Sequence, residues 1–454
     1  MRNTLVNIIR RNFSTTNPLS NKKFLFDSFP NVWNVQKSHN SFLYSNDDEK
    51  FLDFHGGFGS NPIGWNHPKL LKHFKDNIDT HIFINKLANC DFYTQEYLDF
   101  INKFKNQVIP ETYPYCFFID GGALSVENAL KIAMDWKCQK NEDKNEELSI
   151  AHFQKAFHGR SGYTMSLTNT EQHKIKNFTK FNWPRFLSSP KWGLSDENQK
   201  VYDDFAIDEI EKYMKDNKKR VAGMIIEPVQ CEGGDRHFTK YFLQNLQRIC
   251  NQNDILFIVD EVQTGFYTTG KPWCFQHYDL EPDLVSFGKK TQQCGVFGGK
   301  RLDELESHCF NTSGRLGSTW GGNHIDMIRS SKIIDIIKED NLEVNAIERG
   351  NQWLNNMKMI KSNEIDNIRN IGLLMSFDMK TTKIRNKFLD ILKKNKLLCL
   401  GAGDKTIRMR PNLAVSSEEI EECIKKTEIS LQEIEYYNQQ EFAHLQVVFQ
   451  YGFI

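Results

Sequence analysis

Two stretches, VAGMIIEP (221–228) and ILFIVDEV (255–262), are apolar for five or six residues without alternation and then end in acids. A strand of that kind buries both of its faces, so it belongs inside a mostly parallel sheet covered on both sides. Between them Phe242, Leu246, Ile249 and Cys250 recur at helical spacing, the crossover that parallel neighbours need. YCFFID (115–120) likewise precedes SVENALKIAMDWK, where Val126, Leu130, Ala133 and Met134 mark one helix face, and DLVSFG (283–288) follows. The pattern predicts an α/β fold with a mostly parallel central sheet in a large domain. After about Ser330 long polar helices with fewer strands suggest a second, C-terminal lobe.

Charge and composition narrow the function. Lys+Arg and Asp+Glu both total 58, so the basic excess expected of a nucleic-acid binder is missing. The apolar runs are strand-sized and too short to span a bilayer. Ten cysteines occur with no Cys-x-x-Cys pair, and no His-Glu-x-x-His stands among the histidines. That argues against a zinc site and a disulfide framework, and for reduced thiols in an intracellular compartment. The first 26 residues carry Arg2, Arg10, Arg11, Lys22 and Lys23 with no acid before Asp27, and Leu5, Ile8 and Ile9 share a helical face. This composition suits a transit peptide and a mitochondrial matrix address; the alternative is a tail without an address.

Sheets of this class place their sites at the carboxyl ends of strands. Four such ends carry Asp120-Gly121-Gly122, Glu227-Pro228, Asp260-Glu261 and Gly288-Lys289. In DGGALSVENALK the backbone N–H groups of Gly122 and Ala123 open a helix, which favours a phosphate; an ordinary tight turn is the other reading. Asp260 ends a buried strand and needs a partner. A nucleotide-bound metal is one candidate, and GFYTTGKP (265–272) imitates a phosphate loop. The imitation fails, because Pro272 stands where a hydroxyl must hold Mg²⁺ and no apolar strand leads into it.

A protonated heterocycle is the other candidate partner. Pyridoxal 5'-phosphate needs a lysine for a Schiff base, an acid facing its ring nitrogen and a phosphate cradle. LVSFGKKTQQCG (284–295) offers Lys289 and Lys290, which are either solvated surface charges or, for one of them, a desolvated nucleophile.

The motifs FIDGGALSVENALK, FHGRSGYTMSLTNT, EPVQCEGGDRHF, DEVQTGF, FGKKTQQCGV, STWGGN and IRMRPNL stand in the order found in one family. From about Leu52 to about Val415 the chain resembles the class III aminotransferases, which are fold-type I pyridoxal-phosphate enzymes. Beyond the transit or disordered segment read from composition at 1–26, the resemblance implies a small α+β domain built from 27–88 and 331–454, the latter with an unassigned tail. It places the large cofactor-binding domain at 89–330.

The same resemblance selects Lys289, directly after Phe-Gly, as the catalytic lysine and leaves Lys290 without covalent chemistry. It implies that Asp260 faces the ring nitrogen, that Phe157 and Val262 cover the two ring faces, and that Gln263 bonds the ring hydroxyl. Gly122 and Ala123 then take the phosphate, and Thr319 reaches the phosphate of a neighbouring subunit's cofactor in a homodimer with shared sites.

Within the family, the motifs look most like members that pass the ε-amino group of L-lysine to 2-oxoglutarate, giving glutamate. Donors such as 4-aminobutyrate or ornithine are the alternative. On this reading Arg160 holds the distal carboxylate of either substrate. Glu232 masks Arg408 while lysine is bound and releases it for the second. A fixed surface pair is the plainer account of Glu232 and Arg408. Arg410 rivals Arg408, because alternation puts both on one strand face.

Overall fold

Seven strands form the central sheet, in the spatial order Tyr115–Ile119, Cys294–Gly298, Leu284–Phe287, Leu256–Asp260, Val221–Ile226, Ser149–Phe153 and Arg185–Phe186. Only Cys294–Gly298 runs against the rest, pairing antiparallel with both of its neighbours. The computed structural model describes residues 32–77, 81–88, 92–141, 147–187 and 195–451. The leader read at 1–26 lies outside the described residues.

The unbroken apolar runs follow from two covered faces. Leu256 and Ile258 pack with Val126, Leu130 and Ala133 of the helix Gly122–Lys140. Phe257 and Val259 face the other way, into the cluster holding Phe242, Leu246 and Ile249 of the helix Lys240–Gln252. Each face therefore receives alternate residues of the same strand, and neither can be polar. Among the described residues every cysteine is a free thiol, and no helix is long and apolar enough to cross a membrane.

The C-terminal part has both helices and strands, as expected of an α+β domain. It holds a four-stranded antiparallel sheet, in the order Ile365–Ile371, Leu374–Met379, Thr406–Met409, Leu400–Ala402. The helices Leu342–Met359 and Thr382–Lys394 pack on it. The N-terminal segment joins this lobe: Lys50–Asp53 pairs with Phe42–Tyr44 on one side and with Leu397–Leu398 on the other. Buried Ser41 donates its hydroxyl to Glu419 at 2.7 Å, and Arg410 N–H donates to Phe54 O at 2.7 Å.

From that junction a strap crosses to the central sheet. Asp53 Oδ1 accepts the N–H groups of His55 and Gly56, and Gly56 to Gly59 all have positive φ. Lys290 Nζ donates to Gly59 O at 3.0 Å, and Gln292 Nε2 donates to Ser60 O at 3.0 Å. The strap is thus held against the turn that carries Lys289. A Cβ at Gly56 would stand 2.2 Å from Arg410 O, on a backbone with φ 54. Gly56→Ala is expected to cost about 2 kcal/mol or more, from strain plus a clash with main chain that cannot rotate away. Gly314→Ala, with φ 76 and open space around it, carries strain alone. Apparent melting temperatures of the two variants check this, and equal shifts would contradict it.

Candidate active site

The exits of five strands that run in the same direction converge at one edge of the sheet. A cavity of about 280 Å³ opens there, lined by Gly122, Ala123, Phe157, Asp260, Val262, Gln263 and Lys289, and also by His158 and Glu227. Six predicted cofactor residues and the predicted catalytic lysine are therefore brought together.

Lys289 follows Gly288 at the end of Leu284–Phe287 and has φ 54. A side chain in the left-handed region costs about 1 kcal/mol or more, so surrounding bonds must hold it. Lys289 O accepts from Gln292 N–H at 2.9 Å and from Gln292 Nε2 at 3.2 Å. Burial lowers the pKa of the Lys289 amine and Arg408 lowers it further, against opposing pulls from Cys231, Glu232 and Asp260. Neither lysine is a solvated surface charge. Lys290 is 2% exposed and bonds the strap, and burial with help from Arg410 and Lys289 brings its pKa down to about 7.

Asp260 is paired on both oxygens. Val262 N–H donates to Oδ1 at 3.0 Å, and His158 Nδ1 lies 2.8 Å from Oδ2, so a proton on Nδ1 completes that bond. Glu227 at the next exit has its carboxyl pKa pushed well up, by burial first and then by Asp260, and it accepts the N–H of Phe157 at 2.9 Å. Its environment thus drives Glu227 towards the neutral form.

These residues fit pyridoxal phosphate. The helix Gly122–Lys140 begins after Gly121 with no side-chain cap, so its N-terminus is open to an anion where Gly122 and Ala123 line the cavity. Glycine is required at its start, since a Cβ on Gly122 would meet Val262 Cγ1 at 2.7 Å. Thr319 is not in this group. It is exposed and lines a separate cavity of about 500 Å³ with Tyr97 and Phe118.

A second cavity, of about 690 Å³, shares Phe157, Arg160 and Lys289 with the first and adds His55, Lys174, Glu232 and Arg408. Arg408 comes from the strand Thr406–Met409 of the C-terminal lobe and has no solvent exposure. One of its nitrogens donates to Glu232 Oε1 at 2.6 Å and another to Gln263 Oε1 at 2.8 Å. The surface-pair account of Glu232 and Arg408 is thereby excluded. Burial alone would raise the Glu232 carboxyl, but Arg408 and Lys174 outweigh it and hold the pKa at about 2.

Arg410 shares the strand face but not the cavity. Its guanidinium is paired with Asp235, both fully buried, and donates to Met409 O at 3.0 Å. Arg160 is exposed at the cavity mouth, with its guanidinium 5.8 Å from the Phe157 ring centroid. Four site residues went unassigned in the sequence. His158, Glu227 and Asp235 stand inside motifs already singled out, whereas Lys174 carries no signal of spacing or context.

The family model for "Aminotransferase class-III" matches residues 27–431. An L-lysine-epsilon aminotransferase from Streptomyces clavuligerus is 37% identical, over 88% of this chain and 90% of that protein. The human mitochondrial 4-aminobutyrate aminotransferase is 31% identical, over 84% of this chain and 81% of that protein. Among solved structures, a lysine aminotransferase from M. tuberculosis superposes with a TM-score of 0.88 at 34% identity, covering 91% of this chain and 97% of that one. With the family matched over most of its length and the lysine, acid and helix terminus gathered at one sheet edge, the chain belongs to the class III aminotransferases and is a pyridoxal-phosphate-dependent enzyme.

Proposed function

We propose that the enzyme moves the ε-amino group of L-lysine to 2-oxoglutarate, giving 2-aminoadipate 6-semialdehyde and L-glutamate in alternating half-reactions. The observation that carries this reading is the Glu232–Arg408 pair in the wall of the cavity that holds Lys289 and Arg160. A masked guanidinium beside an open one suits a pocket that must take two substrates of different charge.

Bound in the smaller cavity, pyridoxal phosphate supplies the electron sink that makes a carbon–hydrogen bond next to the transferred nitrogen acidic. Lys289 Nζ, whose pKa is lowered by burial, takes that proton from lysine Cε. Arg160 at the cavity mouth binds the α-carboxylate of lysine, so the chain enters amine first. With Glu232 on Arg408, that guanidinium does not compete for the carboxylate. For the return half-reaction Glu232 leaves Arg408. The α-carboxylate of 2-oxoglutarate takes its place, while Arg160 holds the distal carboxylate. Gln263 lines the cofactor cavity and accepts from Arg408, which supports a link between the two sites.

The exposed position of Thr319, outside the cavity of its own chain, suits a role in a homodimer with shared sites. The basic, acid-free start of the chain suits delivery to the mitochondrial matrix. A fluorescent protein fused behind residues 1–26 that stays in the cytosol would contradict that address.

Removing Glu232 exposes Arg408 during the donor half-reaction and lets lysine bind in wrong orientations. Glu232→Ala is expected to slow the lysine half-reaction at least tenfold relative to that of 2-oxoglutarate, about 1.4 kcal/mol of selectivity. Stopped-flow absorbance of the cofactor reads both halves, and an unaltered ratio would sink the gating role. Shared sites make a separate prediction. Co-expressed Lys289→Ala and Thr319→Ala chains, each inactive as a homodimer, are expected to regain about a quarter of wild-type activity, because each mixed dimer has one intact site. No recovery would argue against Thr319 acting across an interface.

A further inference from the structure

Glu232 has two cations, one for each oxygen. Oε1 is bound by Arg408, and Oε2 stands 3.4 Å from Lys174 Nζ. Lys174 ends the short helical turn Gln172–Lys174, with only 13% of its side chain exposed. It is anchored from two further sides. Glu171 Oε2 lies 3.4 Å from Nζ, and the ring centroid of Phe157 lies 5.4 Å away.

The exchange at Arg408 raises a problem of buried charge. When an acceptor carboxylate takes Arg408, Glu232 must go somewhere, and leaving a carboxylate unpaired is costly where only 14% of its side chain is exposed. Lys174 resolves this, because a small rotation frees Oε1 from Arg408 while the carboxylate stays on the ammonium. Arg160, Arg408, Glu232 and the substrate carboxylates are then each paired in both half-reactions. With lysine bound, its carboxylate is on Arg160 and Glu232 bridges Arg408 and Lys174. With 2-oxoglutarate bound, its carboxylates are on Arg160 and Arg408, and Glu232 rests on Lys174 alone.

We propose that Lys174 is the second resting place of Glu232, a positioning residue that sets how readily the pocket changes from donor to acceptor. The proposal rests on the reading of Glu232 as the gate of Arg408. It differs from a role in substrate binding, since loss of Lys174 ties Glu232 more firmly to Arg408 and weakens the acceptor half-reaction selectively. A direct contact with the shared distal carboxylate would weaken both halves.

The test compares half-reactions of cofactor-loaded wild type, Lys174→Met, Lys174→Arg, Glu232→Ala and the double variant Lys174→Met/Glu232→Ala by stopped-flow absorbance. Lys174→Met keeps the hydrocarbon stem against Phe157 and removes only the charge. Its second-order rate constant for 2-oxoglutarate is expected to fall about tenfold relative to that for lysine, with Lys174→Arg returning the ratio to within about threefold of wild type. In the absence of Glu232 the Met substitution has nothing to act on, so the double variant is expected to match Glu232→Ala. Equal loss of both halves in Lys174→Met, or a shift that persists on top of Glu232→Ala, would overturn the proposal. A shift in Glu232→Ala with none in Lys174→Met would overturn it while leaving the gate intact. A wild-type ratio in Glu232→Ala would remove the gate itself, and the proposal with it.

Discussion

Two guanidinium groups without solvent exposure, Arg408 and Arg410, are each neutralised by an acid from one short segment, Glu232 and Asp235. A buried charge left without its partner costs several kcal/mol, so the segment 231–235 and the C-terminal lobe are bound to stay together. The lobe reinforces the union. Arg369 donates to Asp235 O at 2.9 Å and to Gly234 O at 2.7 Å, and Gly403 N–H donates to Glu232 O at 2.9 Å. Because the segment follows directly on the strand Val221–Ile226, this docking brings the lobe's Arg408 to the sheet edge that carries Lys289. The larger cavity beside Lys289 is lined from both sides of that contact.

The two pairs differ in a way that suits different tasks. Asp235 is enclosed and its segment is fixed by backbone bonds, so Arg410 is a structural tie. Glu232 faces the cavity, with one oxygen on Arg408 and the other near Lys174. Nearby, the left-handed backbone of Lys289 stores strain where the amine must be aimed. The strap from Gly56 to Ser60 is bonded to the same turn through Lys290 and Gln292. The adjacent lysine that looks like a spare nucleophile is thus occupied in holding the cavity wall.

The sequence was most legible where a local rule had no exceptions. Leu256–Asp260 and Val221–Ile226 stand out because both faces are buried and no polar residue interrupts them. Lys289, Asp260 and Gly122 stand out because strand exits concentrate chemistry. The C-terminal sheet was harder to read. Its outer strand Ile365–Ile371 is only partly buried and has a register shift between Asp366 and Arg369, which blurs the alternation that marks a strand. The pairing of Leu52 with Leu397 joins residues far apart in the chain, and no local pattern encodes it. Alternation puts Arg408 and Arg410 on one face, so only the acid that each meets in the fold, Glu232 in the cavity and Asp235 away from it, tells them apart. Lys174 gains its importance from a fold contact with Glu232, to which its own neighbours in sequence give no clue.

In the proposed reaction lysine meets Lys289 by its far nitrogen, with its carboxylate held away from Arg408. The most direct measurement follows that nitrogen: purified enzyme, pyridoxal phosphate, 2-oxoglutarate and lysine labelled with heavy nitrogen only at the ε-position, with the glutamate product analysed by mass. Labelled glutamate is the expected product. Unlabelled glutamate would mean transfer of the α-amine and would contradict both the orientation of lysine and the masking of Arg408 by Glu232.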